Sequence, residues 1–230
     1  MQSIQHYFKD KTIWITGASS GIGASLAQYL DNKTQCKLIL SGRNRNKLYS
    51  VAKNFKRRPI FSIFDITNKQ QLVSEVSKIN SQCKSIDILI LNAGDCQYVT
   101  PNEFNSEVYH NMMDTNFFSI INMLESLLPN LLSQQSAHIV TISSLAALVG
   151  FPRSSAYGAS KAALENFTHC LQLDLANTSI SVTSILPGFV KTPLTDRNDF
   201  NMVSVVSSDF AAKKIALAIS KKSKEYYFPF

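Results

Sequence analysis

The sequence predicts an α/β fold: a three-layer, doubly wound, mostly parallel sheet of about seven strands with helices on both faces. Short apolar runs alternate along the whole chain with segments of helical periodicity. The runs are apolar at nearly every position, which is typical of strands covered on both faces. No internal repeat or Pro/Gly-rich linker divides the 230 residues, so we expect a single domain over residues 1–230.

The predicted strands and helices follow one another in a regular order. The strands are TIWITG, KLILSG, IFSIFD, IDILILNAG, HIVTISS and SVTSILPG, with EYYFPF as a possible C-terminal edge strand. Helical segments are predicted to begin near Ile22, Asn44, Lys69, Glu107, Tyr157 and Phe210. The segments near 107–134 and 157–176 have wide apolar stripes. These stripes suit either the core or a shared subunit interface, and both readings stay open.

Composition excludes several classes of partner. The net charge of +7 comes from lysines and arginines spread along the chain, which favours a solvated basic surface over nucleic-acid binding. No apolar run approaches the roughly 20 residues of a membrane-spanning helix, and the N-terminus lacks the apolar core of a secretory signal. The four cysteines and four histidines have no ligand spacing. We therefore expect a cytoplasmic protein with no disulfide framework, no metal site and no membrane partner.

A glycine-rich turn, TGASSGIG at residues 16–23, follows the first strand directly. In such a turn the backbone N–H groups come close to a pyrophosphate, and the positive end of the following helix faces its charge. The sequence therefore predicts the dinucleotide-binding turn of a Rossmann-type fold. Its expected cofactor contacts are Gly17, Ser19, Ser20, Gly21, Ile22 and Gly23.

The residue that reads the adenosine ribose is expected about 20 residues after this turn. Here the second strand ends in LILSGRN, with Arg43 and no nearby Asp or Glu. A carboxylate would accept hydrogen bonds from the 2′-hydroxyl of NAD, whereas a guanidinium suits the 2′-phosphate of NADP. The sequence therefore favours NADP(H) as the cofactor, with NAD(H) possible.

Further motifs follow the later strands. They are FDIT with Asp65, LNAG with Asn92, DTNFF with Asn116, TISS with Ser144, YGASK, and LPGFVKT. Together with the glycine turn, the set resembles the compact, single-domain short-chain dehydrogenases/reductases, from about Lys11 to the C-terminus. The resemblance implies an oxidoreductase that transfers a hydride between NADP(H) and a carbonyl or hydroxyl substrate. It also implies a homodimer or homotetramer, with the long helices near 107–134 and 157–176 as the expected contact.

The resemblance also implies a role for each matching residue. Tyr157 matches the family's general acid/base, Lys161 its lysine, Ser144 its catalytic serine and Asn116 its active-site asparagine. Besides the glycine turn, the expected cofactor contacts are Arg43, Asp65, Asn92, Ala93, Gly94, Tyr157, Lys161, Pro187, Gly188, Val190 and Thr192.

Elementary chemistry gives reasons for these residue types. Tyr157 and Lys161 are four residues apart, so a helix places them on one face. The ammonium group of Lys161 is expected to lower the phenol pKa, which is ordinarily about 10. Ser144 would donate a hydrogen bond to the substrate oxygen, and Asn116 would complete a proton path from Lys161 through water.

The substrate is less well defined than the reaction. Two alternatives stay open: a 3-oxoacyl-carrier-protein reductase, whose acidic partner would suit a basic surface, and a redox sensor that binds NADP without turnover. Residues 193–209 are expected to form a short substrate lid over an open or partly pre-formed pocket. Leu148, Phe151, Phe189 and Leu194 suggest a hydrophobic small-molecule substrate.

Overall fold

The computed structural model of the protein describes residues 2–229. The strands are β1 (Thr12–Ile15), β2 (Lys37–Gly42), β3 (Ile60–Ile63), β4 (Ile88–Leu91), β5 (Ala137–Ile142), β6 (Ile180–Pro187), β7 (Val190–Lys191), β8 (Val206–Ser207) and β9 (Glu225–Phe228). The helices are α1 (Gln2–Phe8), α2 (Gly21–Lys33), α3 (Arg45–Val51), α4 (Lys69–Gln82), α5 (Ser106–Met113), α6 (Ser119–Leu132), α7 (Ser155–Asp174) and α8 (Ser208–Ser220).

Seven of these strands form one sheet in the order β3-β2-β1-β4-β5-β6-β9. Every neighbouring pair is parallel, as in the register of β1, where Ile15 is opposite Leu40 on one side and Ile90 on the other. The chain proceeds outward from β1 to β3 and then returns to β4 on the other side of β1. The predicted doubly wound parallel sheet is confirmed, and the strand order reverses between β1 and β4.

Helices cover both faces of this sheet and bury its apolar side chains. On one face, α1, α2, α3 and α8 contribute side chains such as Phe8, Leu26, Leu48 and Ile215. On the other face, α4, α6 and α7 contribute Leu72, Val76, Met123, Leu127, Leu164 and Leu171. Burying apolar surface on both sides is what stabilises this layered arrangement. Among the residues that the structure describes, no helix is both long and apolar enough to cross a lipid bilayer.

Two elements differ from expectation. Helix α1 was not predicted, because its 7 residues carry too short a pattern to recognise; Ile4 and Phe8 are nonetheless buried against the core. Strand β8 lies within residues 193–209, which were expected to form the lid, and it pairs in parallel with β7, which lies just before them. The possible edge strand EYYFPF is present as β9, beside β6, although Phe230 lies outside the described residues.

Candidate active site

A cavity of about 730 Å³ opens at the carboxyl ends of the strands, where the strand order reverses. Open α/β sheets place their ligands at this position. Most of the predicted site residues line it: Gly17, Ser19, Ser20, Gly21, Ile22, Arg43, Asp65, Asn92, Ala93, Gly94, Ser144, Tyr157, Lys161, Pro187, Gly188, Val190 and Thr192. Gly23 and Asn116 lie directly behind the cavity wall, as described below.

The glycine turn has the backbone that its sequence predicts. Gly17 and Gly21 have φ angles of 65° and 54°, in a region that residues with a side chain rarely adopt. Gly23 has a different restriction, because a Cβ there would lie 2.5 Å from the carbonyl oxygen of Gly17. The turn is therefore compact and leaves its backbone free to approach a ligand closely.

Two polar side chains fix this turn against strand β4. The Oγ1 of Thr16 accepts hydrogen bonds from the backbone N–H groups of Asn92 (2.9 Å) and Ala93 (3.0 Å). In return, Nδ2 of Asn92 donates to the carbonyl oxygens of Thr16 (2.9 Å) and Gly17 (3.2 Å). Thr16 was missed by the sequence analysis; its position between an apolar strand and a glycine turn is the only signal for it.

The far end of the cavity is bounded by Arg43, Lys47 and Asp65. Arg43 is largely exposed, and its Nη1 lies 3.8 Å from Oδ2 of Asp65. Burial raises the pKa of the Asp65 carboxyl, but hydrogen bonds from Thr67 and the charge of Arg43 outweigh burial and leave the pKa below its usual value. Two cations therefore face this end of the cavity. Lys47, on α3, was not predicted as a site residue.

Tyr157 and Lys161 lie one turn apart in the first half of α7, as predicted. The Nζ atom of Lys161 lies 5.9 Å from the centroid of the Tyr157 ring. It also donates a 2.8 Å hydrogen bond to the carbonyl oxygen of Ile142, the last residue of β5. The end of β5 thus holds the lysine beside the tyrosine.

The protonation of this pair differs from the expectation that Lys161 lowers the phenol pKa. Burial raises the pKa of Tyr157 to about 12, although hydrogen bonding by Ser144 partly opposes it. Burial also lowers the pKa of Lys161 to about 8, against smaller opposing effects of Cys96 and Glu165. Desolvation disfavours both charged forms. The site therefore holds a neutral phenol beside a lysine that titrates not far above neutral pH.

The two serines after β5 have different surroundings. The Oγ of Ser144 accepts a hydrogen bond from the N–H of Ala146 at 3.1 Å, and this hydroxyl is the one that influences the pKa of Tyr157. The Oγ of Ser143 is buried and donates at 3.4 Å to the carbonyl oxygen of Lys161. Ser144 is thus the serine whose hydroxyl acts on Tyr157.

Asn116 lies in a π-helical turn, Asp114–Phe118, between α5 and α6. Such turns are often found at functional sites. Its Oδ1 accepts from the N–H of Asp95 at 2.8 Å, and its Nδ2 donates to the carbonyl oxygen of Asp95 and to Ser160 Oγ, both at 2.9 Å. Both Oδ1 of Asn116 and Nζ of Lys161 lie beside Gly94. Both polar atoms of the amide are therefore bonded to protein, and the amide lies close to the lysine.

Residues 193–209 border the cavity, and side-chain contacts with Asp95, Tyr98 and Arg153 hold this segment in place. Arg197 Nη2 lies 3.0 Å from Oδ1 of Asp95. The hydroxyl of Tyr98 donates to Asn198, and Arg153 and Asp199 form a two-pronged ion pair. The segment contains a 3₁₀ turn at Thr195–Arg197 and ends in the first turn of α8.

The apolar residues suggested for the substrate divide between two cavities. Leu194 lines the main cavity, whereas Leu148 and Phe151 line a separate one of about 320 Å³. The ring of Phe189 packs edge-on against Phe151 and Phe200. Only part of the predicted apolar set therefore faces the cavity that holds Tyr157.

Comparison of the sequence with known proteins finds relatives in one family. The family model described as short chain dehydrogenase matches residues 11–202. An uncharacterized oxidoreductase of Staphylococcus saprophyticus is 37% identical over 196 residues, covering 84% of this chain and 83% of that protein. A second, from Staphylococcus epidermidis, is 31% identical over 215 residues, covering 94% of this chain and 93% of that protein.

Two solved structures have the same fold. A short-chain dehydrogenase from Burkholderia cenocepacia, in complex with NADP, superposes with a TM-score of 0.85 at 27% identity, covering 97% of this chain and 90% of its own. A short-chain dehydrogenase/reductase from Burkholderia phymatum, in complex with NAD, also gives a TM-score of 0.85, at 22% identity, covering 96% and 89%. The chain belongs to the short-chain dehydrogenase/reductase family of oxidoreductases.

Proposed function

We propose that the protein is an NADP(H)-dependent carbonyl reductase, or an alcohol dehydrogenase in the reverse direction, in which Tyr157 is the general acid/base. One observation carries the proposal. A single cavity connects the glycine turn and Arg43 at one end to Tyr157, Lys161 and Ser144 at the other. A dinucleotide can therefore bind along the wall that ends at a proton donor.

The residues present fit such a cofactor. At Gly17 an added Cβ would lie 2.8 Å from Cα of Ala93, and at Gly21 it would lie 3.2 Å from the side chain of Thr192. These glycines let the turn pack directly against Ala93 and Thr192, and the residues of the turn line the cavity. Arg43 and Lys47 would hold the 2′-phosphate, and Lys161 would bind ribose hydroxyls. When bound, the nicotinamide supplies or accepts the hydride.

The protein's own groups manage the proton. The substrate oxygen gains negative charge as a carbonyl is reduced, and a proton donor must lie next to it. Tyr157 is protonated at neutral pH, and burial strengthens this preference by raising its pKa to about 12. Ser144 holds the oxygen by a hydrogen bond, and the ammonium group of Lys161 stabilises the phenolate left behind. Asn116 holds the Asp95 backbone, and thus the wall beside Lys161, in place.

Turnover with a defined cofactor tests the function directly. Purified protein should oxidise NADPH in the presence of a panel of apolar ketones and aldehydes, and more slowly use NADH. If it binds NADPH but turns over none of the carbonyls, the redox-sensor alternative is favoured. Activity confined to acyl-carrier substrates would favour the 3-oxoacyl-carrier-protein reductase.

The cofactor preference has its own test. Arg43→Asp removes a charge-assisted hydrogen bond to the 2′-phosphate, so NADPH binding should weaken by roughly 10- to 100-fold while NADH binding changes little. Arg45→Asp is the matched control, since Arg45 lies on the first turn of α3 and does not line the cavity. Fluorescence titration with each cofactor measures the ratio of NADPH affinity to NADH affinity. Equal weakening of both cofactors would refute the role of Arg43.

We also propose a single-domain, cytoplasmic homodimer or homotetramer, assembled through the helices near 107–134 and 157–176. Phe118, Leu132 and Leu173 on these segments are 47%, 46% and 74% exposed, which leaves apolar surface for a second copy. Light scattering at micromolar concentration should give two or four times the chain mass of 25.6 kDa. A monomer would contradict the assembly and leave the proposed reaction untouched.

A further inference from the structure

A second cluster of ionisable side chains lies further along α7, beside the edge strand β9. Glu165 and His169 are one turn apart on α7, and Glu225 is the first residue of β9. Nε2 of His169 lies 3.1 Å from Oε1 of Glu165 and 2.6 Å from Oε1 of Glu225. All three donor atoms lie within 4.8 Å of one another. None of the three residues lines the active-site cavity.

Two of these atoms are buried without a hydrogen bond. The Glu165 side chain is only 5% exposed, and both its Oε1 and Nε2 of His169 are shielded from solvent with no hydrogen-bond partner. Oε1 of Glu165 and Oε1 of Glu225 both lie within ion-pair distance of Nε2 of His169. An Nε2–H does not point well enough at either oxygen to donate a hydrogen bond. A buried polar atom left unpaired costs stability. A cation that accepted one lone pair from each of the three residues, Glu165, His169 and Glu225, would remove this cost.

His138 shows how a histidine is satisfied elsewhere in this protein. Its Nδ1 is 2.8 Å from the hydroxyl of Tyr7, and its Nε2 is 2.8 Å from Oγ1 of Thr183. Thr183 donates its own proton to the carbonyl oxygen of Ser223, so it accepts from Nε2–H. Burial lowers the pKa of His138 to about 3. That ring is neutral and fully bonded, so it has no lone pair left for a ligand.

Hydroxyl groups orient both carboxylates towards His169. The Oγ of Ser184 donates to Oε2 of Glu165 at 2.7 Å, and the hydroxyl of Tyr227 donates to Oε2 of Glu225. Ser184 is also the residue opposite Glu225 in the β6–β9 register. In each carboxylate one oxygen is thus held by a hydroxyl and the other faces the histidine. Such outer hydrogen bonds are what orient the ligands of metal sites.

We propose that Glu165, His169 and Glu225 form a binding site for a divalent transition-metal ion, with Zn²⁺ as the best chemical match. Imidazole nitrogen and carboxylate oxygen are zinc ligands, and three of them leave a fourth position for water. Two tetrahedral zinc ligands, each at about 2.1 Å, are about 3.4 Å apart. The 3.1 Å separation is close to this, and the 2.6 Å separation can widen because Glu225 is 33% exposed. No metal site was predicted from sequence, because Glu225 is far along the chain from α7.

Calorimetric titration of the full chain, stripped with chelator, with Zn²⁺ alone tests the site. We expect one equivalent to bind and the melting temperature to rise with Zn²⁺ concentration. His169→Gln and Glu225→Gln should each weaken binding by at least roughly 100-fold, since even outer-shell changes cost 10- to 100-fold. Both residues are partly exposed, and circular dichroism of the variants verifies that they are folded.

Two control variants separate this site from other zinc ligands. His110→Gln removes an exposed histidine on α5 and should leave binding unchanged. Cys170→Ser removes the exposed thiol next to His169 and should also leave it unchanged. Co²⁺ substitution should show no thiolate charge-transfer band. The proposal is overturned if the wild-type chain binds no stoichiometric Zn²⁺, or if Cys170→Ser abolishes binding while His169→Gln does not.

Discussion

Helix α7 carries two polar pairs along one stripe, each pair one turn apart, and their surroundings differ. In its first half, Tyr157 and Lys161 line a cavity of about 730 Å³. In its second half, Glu165 and His169 pack against β6 and the edge strand β9, where Ser184 and Glu225 meet them. The same helical spacing therefore serves an open cavity at one end and a partly buried cluster at the other.

The difference shows that spacing alone does not define a site. In the first pair, Nζ of Lys161 donates to the Ile142 carbonyl, and both residues line an open cavity. The second leaves two buried atoms without a hydrogen bond. An open face indicates a reacting or binding molecule, whereas converging unpaired atoms indicate a bound ion.

The largest expected effect belongs to the first pair. Tyr157→Phe removes the proposed proton donor while keeping the ring, so kcat for carbonyl reduction should fall by roughly 10²- to 10⁴-fold. NADPH binding should largely survive. Steady-state kinetics together with a cofactor titration distinguish the two quantities.

Tyr109→Phe is the matched control for this loss. Tyr109 lies on α5, and its hydroxyl bonds to Ser155 at the start of α7 without lining the cavity. It should keep near wild-type kcat. Full activity of Tyr157→Phe would remove the general acid from the proposed mechanism.

The fold and the first pair were accessible from the sequence because local signals carry them. Apolar runs identify all seven strands of the main sheet, and TGASSGIG identifies the turn whose Gly17 has a positive φ. Parallel strands then bring residues at their carboxyl ends together. Tyr157 and Lys161 needed only helical spacing and the family resemblance.

What the sequence missed depends on tertiary contacts. Thr16 has no signal beyond its position between a strand and a glycine turn, because its role lies in its hydrogen bonds to the backbone just after β4. The raised pKa of Tyr157 depends on burial that no local pattern reports. The second pair on α7 becomes a candidate site only when β9 brings Glu225 beside it.

A smaller expected effect concerns the pH dependence of the reduction rate, in which Glu165 of the second pair influences Lys161 of the first. Burial lowers the pKa of Lys161 to about 8, and Glu165 is one of the groups that oppose the change. In the proposed mechanism the ammonium form stabilises the phenolate, so the reduction rate should fall as pH rises through about 8. Glu165→Gln removes a charge that raises the lysine pKa, and the decline should therefore begin at lower pH.

The pH–rate profile of kcat measures this shift. Glu125→Gln removes an exposed carboxylate that is paired with Lys69 on the surface, and its profile should match the wild type. Glutamine at 165 can still accept the hydrogen bond from Ser184, which limits structural change. Identical profiles for the two variants would show that the halves of α7 are electrostatically independent.

The smallest expected effect is that of His169→Gln on catalysis in metal-free protein. The substitution leaves the Glu165 carboxylate and its bond from Ser184 in place, so the surroundings of Lys161 stay the same. Because substitutions without shared contacts seldom influence one another, kcat should remain within roughly twofold of wild type. The rate is measured in chelator-treated buffer at neutral pH. A loss of kcat comparable to that of Tyr157→Phe would mean that the whole stripe of α7 acts as one catalytic unit. Retained kcat together with lost Zn²⁺ binding would instead establish two functions at the two ends of one helix.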